Sequence, residues 1–304
     1  MSKAMKIGVV LSSGGGRGVF AHTGFLQALE NLGIEVSTIA GCSAGALVGG
    51  VYASGTELQQ WAKIIAEVDT GEYWTPDSWF QFFWKMVVHK GRGYTGLSDN
   101  KSAIEFIRKN LIEKTFEDCR MPFYSLASNL TQGTKTLFSK GELAPRIMAS
   151  AAMPVLYRPV DVEGELFCDG ATIELSSTEA ICCRHHMDAL IVHHASVCRE
   201  GPEGMKHALR SPWSVAEIIH LLLYRKRPWY LSNQPLSFHH CRCGCKTPVL
   251  VVEPDLPELR WPLRKGGVDV QKEAQRQAEM LLHPFVASLR NDTQQLHQLF
   301  SVYN

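Results

Sequence analysis

The chain has 304 residues, 45% of them hydrophobic and 20% charged, with a formal net charge of +1. That length suits one large globular domain or two small ones, and so even a charge balance supplies no overall field to draw in nucleic acid or another acidic partner. Nine cysteines, several adjacent or alternating, do not make a secreted disulfide frame and point to a reducing cytoplasm.

From the N-terminus, MKIGVVL reads as a buried strand that ends in the glycine-rich turn Ser12 to Gly18. It is too short, and runs too directly into glycine, for a secretory signal. Phe25, Leu26, Leu29 and Leu32 then recur at helical spacing up to a stop at Gly33. VSTIAG forms a second strand and AGALVGGVYAS a second helix. Strand, glycine turn and helix, twice over, predict a parallel sheet covered on both faces. Further strands are expected at 122–129, 134–139, in a pair around 160–170, at 188–196 and at 247–255. Helices are expected at 57–67, 98–111, 142–150, 174–185, 213–225 and 268–290. No run reaches the ~18–20 apolar residues that cross a bilayer. With no repeat or linker, one domain over 5–290 is the simplest division.

Gly41-Cys42-Ser43-Ala44-Gly45 fits G-x-S-x-G between a strand and a helix, the setting of a nucleophile on a strained turn. Glycines two places to either side remove side chains that would collide with the neighbouring strand and helix. The helix N-terminus behind Ser43 favours developing negative charge. Gly14-Gly15-Gly16-Arg17-Gly18 lies in the same kind of turn, where backbone N–H groups converge on an anion. The run from Gly16 to Ala21 also fits a dinucleotide fingerprint, but the second strand ends in Gly41-Cys42-Ser43 and not in the acid that would hold a ribose. Among twelve histidines none stands in a recognisable loop after a late strand. Asp169, ending a strand before Gly170-Ala171, is the better candidate base.

These three motifs in this order resemble the patatin-like phospholipases of the short bacterial type. The stretch from Ala127 to Ala171, with Ala-Ser-x-Ala-x-Pro at 149–154, is similar to that family's approach to its aspartate. The resemblance implies a three-layer α/β/α sandwich with a mostly parallel central sheet. It implies a Ser43–Asp169 dyad without histidine, an oxyanion loop of Gly14, Gly15, Gly16 and Arg17, and supporting positions at Gly41, Gly45, Gly170 and Ala171. It further implies hydrolysis of glycerolipid acyl esters through an acyl-enzyme, with no metal or other cofactor. Two registers of the glycine loop are open: matching Arg17-Gly18 puts Ser13 in the first glycine position, and matching the three glycines puts Gly18 in the basic one. Where the family commonly has Asn and Pro after Asp-Gly, this chain has Thr172 to Ser177, which places Glu174 near the site wall.

The expected partner is a lipid ester substrate, with peripheral contact at the inner membrane surface, no nucleic acid, and the oligomeric state open. A soluble carboxylesterase or thioesterase of the same fold is the alternative enzyme, and a non-catalytic regulatory relative the alternative outside enzymes. Residues 72–95 crowd aromatics with Lys85, Lys90 and Arg92, and 213–231 do so with Arg225, Lys226 and Arg227. Each reads either as core helix with solvated basic ends or as an interfacial surface. The first is further expected to form a lid that touches anionic membranes. His239, His240, Cys241, Cys243 and Cys245 are metal-ligand types, but C-x-C suits one tetrahedral zinc poorly, so free thiols and surface histidines are expected.

Overall fold

The computed structural model describes residues 5–195, 228–257 and 266–291, with positions 205, 206, 209, 210, 214, 218, 259, 296 and 300. The chain opens with β1 (Ile7–Leu11), α1 (Gly15–Asn31), β2 (Val36–Cys42) and α2 (Ala44–Ala53). After α3 (Leu58–Glu67), α4 (Thr70–Tyr73) and α5 (Trp79–Val87) come β3 (Gly96–Ser98) and α6 (Lys101–Asn110). The middle of the chain supplies β4 (Phe123–Asn129), β5 (Thr134–Phe138), α7 (Leu143–Ala151), β6 (Val155–Tyr157), β7 (Val160–Val162) and β8 (Glu165–Asp169). Then follow α8 (Cys182–His185), β9 (Ala189–His193), β10 (Leu236–His240), β11 (Pro248–Val252), α9 (Gly267–Leu282) and α10 (Val286–Asn291).

Nine strands form the main sheet, ordered β10-β11-β9-β1-β2-β4-β8-β7 with β5 also on β4. The five central strands run parallel and the outer pairings are antiparallel. The expected α/β architecture with a mostly parallel sheet is therefore present. Alternation along the central strands splits their side chains between two cores. Val9, Ile39, Ile191 and Leu250 face the large core that contains Phe25 and Leu29 of α1, Val48 of α2 and Ala274 of α9. Val10, Ala40, Val192 and Val251 face a smaller core with Ile181, Cys182, Met187, Tyr230 and Cys241. Burial on both faces is why these strands read as nearly continuous apolar runs.

A strand has only two edges, yet β4 has three partners. β2 pairs in parallel with Phe123–Leu126, β8 antiparallel with Ala127–Asn129, and β5 antiparallel with Ser125–Asn129. Because β5 overlaps both of the others, it takes one edge, and β2 and β8 share the other end to end. Cys42 stands opposite Leu126, and Asp169 stands opposite Ala127, the next residue along.

Several expectations need correction. The helix expected over 174–185 is only a 3-10 turn at Thr178–Ala180 and the short α8. Leu175 and Ser176 instead make tertiary hydrogen bonds, with the Ser13 N–H and the Tyr230 hydroxyl respectively. The helix expected over 268–290 breaks at His283–Phe285, where Pro284 cannot donate. β3, β6 and β10 have no counterpart among the expected strands. Apart from positions 214 and 218, the helix expected at 213–225 lies outside the described residues, as does most of the basic-aromatic stretch 213–231.

α1 and α9 cross at Gly24, where a Cβ would lie 2.1 Å from the Gln271 carbonyl oxygen. Backbone cannot rotate aside, so Gly24→Ala should force the helices apart and cost roughly 1–3 kcal/mol. Gly71→Ala, with nothing within 4 Å of its Cβ, should stay within about 0.5 kcal/mol of wild type. Urea unfolding of the two variants checks this, and equal midpoints would show that the crossing is loosely packed.

Candidate active site

β2 ends at Cys42 and the chain turns at Ser43 into α2. Ser43 has φ 54° and ψ −117°, a conformation that costs on the order of 1–3 kcal/mol in a non-glycine residue. Close packing forces the turn. A Cβ on Gly41 would fall 2.2 Å from the Gly45 carbonyl oxygen, and one on Gly45 2.3 Å from that of Leu11. The G-x-S-x-G spacing is thus a requirement of backbone meeting backbone.

Asp169 ends β8, and Gly170 lets the chain leave, since a Cβ there would sit 2.2 Å from the Leu126 carbonyl oxygen. The Ser43 hydroxyl donates to Asp169 Oδ2 at 2.7 Å, and the Ala171 N–H donates to Oδ1 at 2.9 Å. Both side chains are buried. Neighbouring Cys42 is no rival nucleophile: burial, and then the carboxylates of Asp169 and Glu174, push its thiol well above the usual range. Glu174 does border the site, but by its carbonyl, which accepts from Cys42 Sγ, while its carboxylate pairs with Lys135 at 2.9 Å.

The 149–154 run has a role that its sequence did not disclose. The Ser43 N–H donates to Ser150 Oγ at 2.9 Å, and the Ser150 hydroxyl donates to the Leu126 carbonyl at 2.5 Å. Two residues on, Ala152 at the C-terminal cap of α7 holds the other member of the pair, its carbonyl accepting the Asp169 N–H at 3.0 Å. The end of α7 therefore fixes both backbones.

α1 begins at Gly15 (φ 55°) with Gly14 as its N-cap. The first N–H groups of a helix have no partner within it. Gly18 brings this end against the Ser43 turn, since a Cβ on it would lie 3.0 Å from Ala44 Cβ. Two helix N-termini, of α1 and α2, thus converge beside Ser43 and favour an anion there. The Arg17 guanidinium donates to the Ala195 and Leu256 carbonyls, each at 3.4 Å, which ties the glycine loop to the chain that follows β9 and β11.

His22 and His193 lie in the core. Their Nδ1 atoms are 2.8 Å apart, and His22 Nε2 is 2.8 Å from the Ser12 carbonyl oxygen. The carbonyl requires a proton on His22 Nε2, so His22 Nδ1 accepts from His193. Burial lowers His22 to about 4, and burial, then the neighbouring His22 and His194, hold His193 well below the usual imidazole range. Both are neutral packing groups, and the carboxylate that accepts from Ser43 is Asp169.

The model of the family described as patatin-like phospholipase matches residues 9–177, more than half of the chain, and takes in the glycine loop, Ser43 and Asp169. The chain belongs to this family. An uncharacterized NTE family protein of Mycobacterium tuberculosis is 30% identical over 57% of this chain and 44% of its own length. Lysophospholipase NTE1 of Cryptococcus neoformans var. neoformans is 26% identical over 68% of this chain and 12% of its own. The match thus spans less than half the length of these relatives. Human GIVD cytosolic phospholipase A2 shares the fold, with a TM-score of 0.53 at 10% identity over 98% of this chain and 63% of that one.

Burial raises Asp169 to about 6, against smaller lowering by the Ser43 and Ala171 hydrogen bonds. A carboxyl group accepts a proton only when ionised. The rate of Ser43 labelling by a fluorophosphonate should therefore fall about tenfold per pH unit below about 6. The same shift makes the folded state hold this proton more tightly than the unfolded chain, so its contribution to stability is lost as pH rises through about 6. A labelling rate that stays flat from pH 7 to pH 4.5 would assign the proton to another group.

Proposed function

We propose that the chain is a serine lipid acyl hydrolase of the phospholipase A or lysophospholipase type. The observation that carries this reading is the 2.7 Å hydrogen bond from Ser43, on its strained turn, to buried Asp169. Asp169 takes the hydroxyl proton as Ser43 Oγ attacks the ester carbonyl. The resulting oxyanion is held by N–H groups at the start of α1, in the stretch Gly14 to Arg17. Collapse expels the alcohol, which receives the proton from Asp169. Water, activated by the same carboxylate, then releases the fatty acid from the acyl-enzyme. The named activity of the fungal relative supports a glycerolipid ester as substrate.

Ser43→Ala should reduce ester hydrolysis to background, and Asp169→Asn should lower kcat by roughly 10²–10⁴, with circular dichroism unchanged in both. Near-wild-type kcat in Asp169→Asn would place the base elsewhere.

The aromatic segment supports action at a lipid surface. Trp79 and Phe80 of α5 are 79% and 72% exposed, and Phe83, Trp84, Met86 and Val87 are at least 43% exposed. No residue of α5 is buried, so the core-helix reading of this stretch does not hold. The segment is tied down at its base, where Pro76 bridges to Ser98 of β3, and β3 pairs with β6. Lys85 is not available for attraction as expected: it pairs with Asp77 at 2.9 Å, beside Arg158 at 2.6 Å. Lys90 and Arg92 remain exposed at the end of the helix. We infer that α5 inserts its aromatic face into an anionic bilayer, as an insertion at 72–95 between nucleophile and base. Half-burying one Trp is worth on the order of 2 kcal/mol. A Trp79→Ala, Trp84→Ala double variant should therefore co-sediment with anionic vesicles at least about tenfold more weakly. Equal binding, with equal loss of activity on soluble and bilayer esters, would make α5 a structural element only.

A further inference from the structure

Cys182, Cys241, Cys243 and Cys245 bring their Sγ atoms within 4.8 Å of one another. Three of them come from the turn between β10 and β11. The fourth comes from the start of α8, 59 residues before Cys241. The turn is shaped for convergence. The Cys241 N–H donates to the Thr247 carbonyl at 3.0 Å, and Gly244 and Lys246 take φ of 85° and 55°. Alternate residues 241, 243 and 245 then present their sulfurs on one side. Cys182 Sγ lies 3.1 Å from Cys241 Sγ and 3.2 Å from Cys243 Sγ, Cys241 and Cys243 are 3.2 Å apart, and Cys243 and Cys245 are 2.9 Å apart. His239 and His240, grouped with these cysteines on sequence grounds, are engaged elsewhere, with Ser237 and Trp229 and with Phe300.

From this cluster we propose a structural zinc site with four thiolate ligands. Four sulfurs about 2.3 Å from a tetrahedral Zn²⁺ stand about 3.8 Å from each other, which falls between the short contacts and the 4.8 Å limit of this group. Soft sulfur donors in a closed set of four are the ligands of structural zinc and leave no open position for catalysis. Binding replaces four S–H protons by one Zn²⁺, with no change of oxidation state. The resulting group carries two negative charges, and Arg242 and Lys246 in the turn, with Arg184 in α8, supply cations from the ligand-bearing segments.

The position gives the site a purpose. It clamps the end of the segment that leaves Asp169, crosses the glycine loop through the bond of the Ser13 N–H to the Leu175 carbonyl, and ends in α8. It also pins the β10–β11 hairpin at the sheet edge. The smaller core on this face includes Cys182 and Cys241 themselves, with Cys243 packed against it. All four cysteines lie outside the 9–177 match to the family. The site belongs to this chain's own C-terminal part and is independent of the proposed reaction.

The test uses the full chain, purified under reducing conditions without a polyhistidine tag. Elemental analysis should find one zinc per chain. Co²⁺ added to the chelator-treated, reduced chain should give the visible bands of tetrahedral cobalt with intense thiolate charge transfer, saturating at one equivalent. Cys182→Ser and Cys243→Ser should each weaken Co²⁺ binding at least tenfold, while Cys119→Ser leaves it unchanged. Because the cobalt titration is done on wild type, it stands even if a variant fails to fold. Absence of those bands in the reduced wild-type chain would overturn the proposal. So would an unaltered spectrum in Cys182→Ser, or a mass showing that these cysteines leave the cell as disulfides.

Discussion

The candidate site rests on the sharing of one edge of β4. β2 arrives along it in parallel and stops opposite Leu126, and β8 arrives from the other direction and stops opposite Ala127. Two strand ends that meet head on must both leave the sheet at the same point. The residues at that point are Ser43 and Asp169, 126 positions apart in the chain and 2.7 Å apart in space. The hydrogen-bond register of β4 sets this distance, and no flexible loop has to close to create it.

Two unfavourable features are held in place by that geometry. Ser43 keeps a positive φ, and Asp169 keeps a carboxyl group where burial opposes its charge. Each is over-determined by its surroundings. Gly41, Gly45 and Gly170 pack where any Cβ would strike backbone, and Ser150 and Ala152 fix the two main chains from the end of α7. The few kcal/mol stored in the turn and the buried carboxyl are offset by close packing in the large core around α1, α2, α7 and α9. The histidines fall outside this arrangement. Burial without a countercharge keeps His22 and His193 neutral, with His193 stacked on Phe25 and meeting His22 edge-on.

The two faces of the sheet are built differently. One carries long helices, and Gly24 allows two of them to touch along their backbones. The other, within the described residues, is covered partly by the segment around α8 and the turn after β10, where four sulfurs gather. A thin layer of irregular chain buries less apolar surface per residue than a helix does, and cross-links are the usual remedy for a small core. α5 has no buried residue and keeps Trp79, Phe80, Phe83 and Trp84 in solvent, held at its base by β3 and β6.

The central strands are legible in the residues alone, because burial on both faces leaves a local signature of β-branched and aliphatic runs ended by glycine. So are the Ser43 turn and the Asp-Gly-Ala turn, because the steric demands of each are met within five residues. Nothing local says that Ser150 supports Ser43, that Cys182 joins Cys241, Cys243 and Cys245, or that Lys85 is spent on Asp77. The local pattern over 174–185 reads as helix and misleads, since Leu175 and Ser176 find partners in Ser13 and Tyr230 that no window of neighbouring residues contains. Nor could it decide whether the aromatics of 79–88 face a core or solvent. Hydrophobicity records what a side chain prefers, and the register and packing of distant segments decide what it meets.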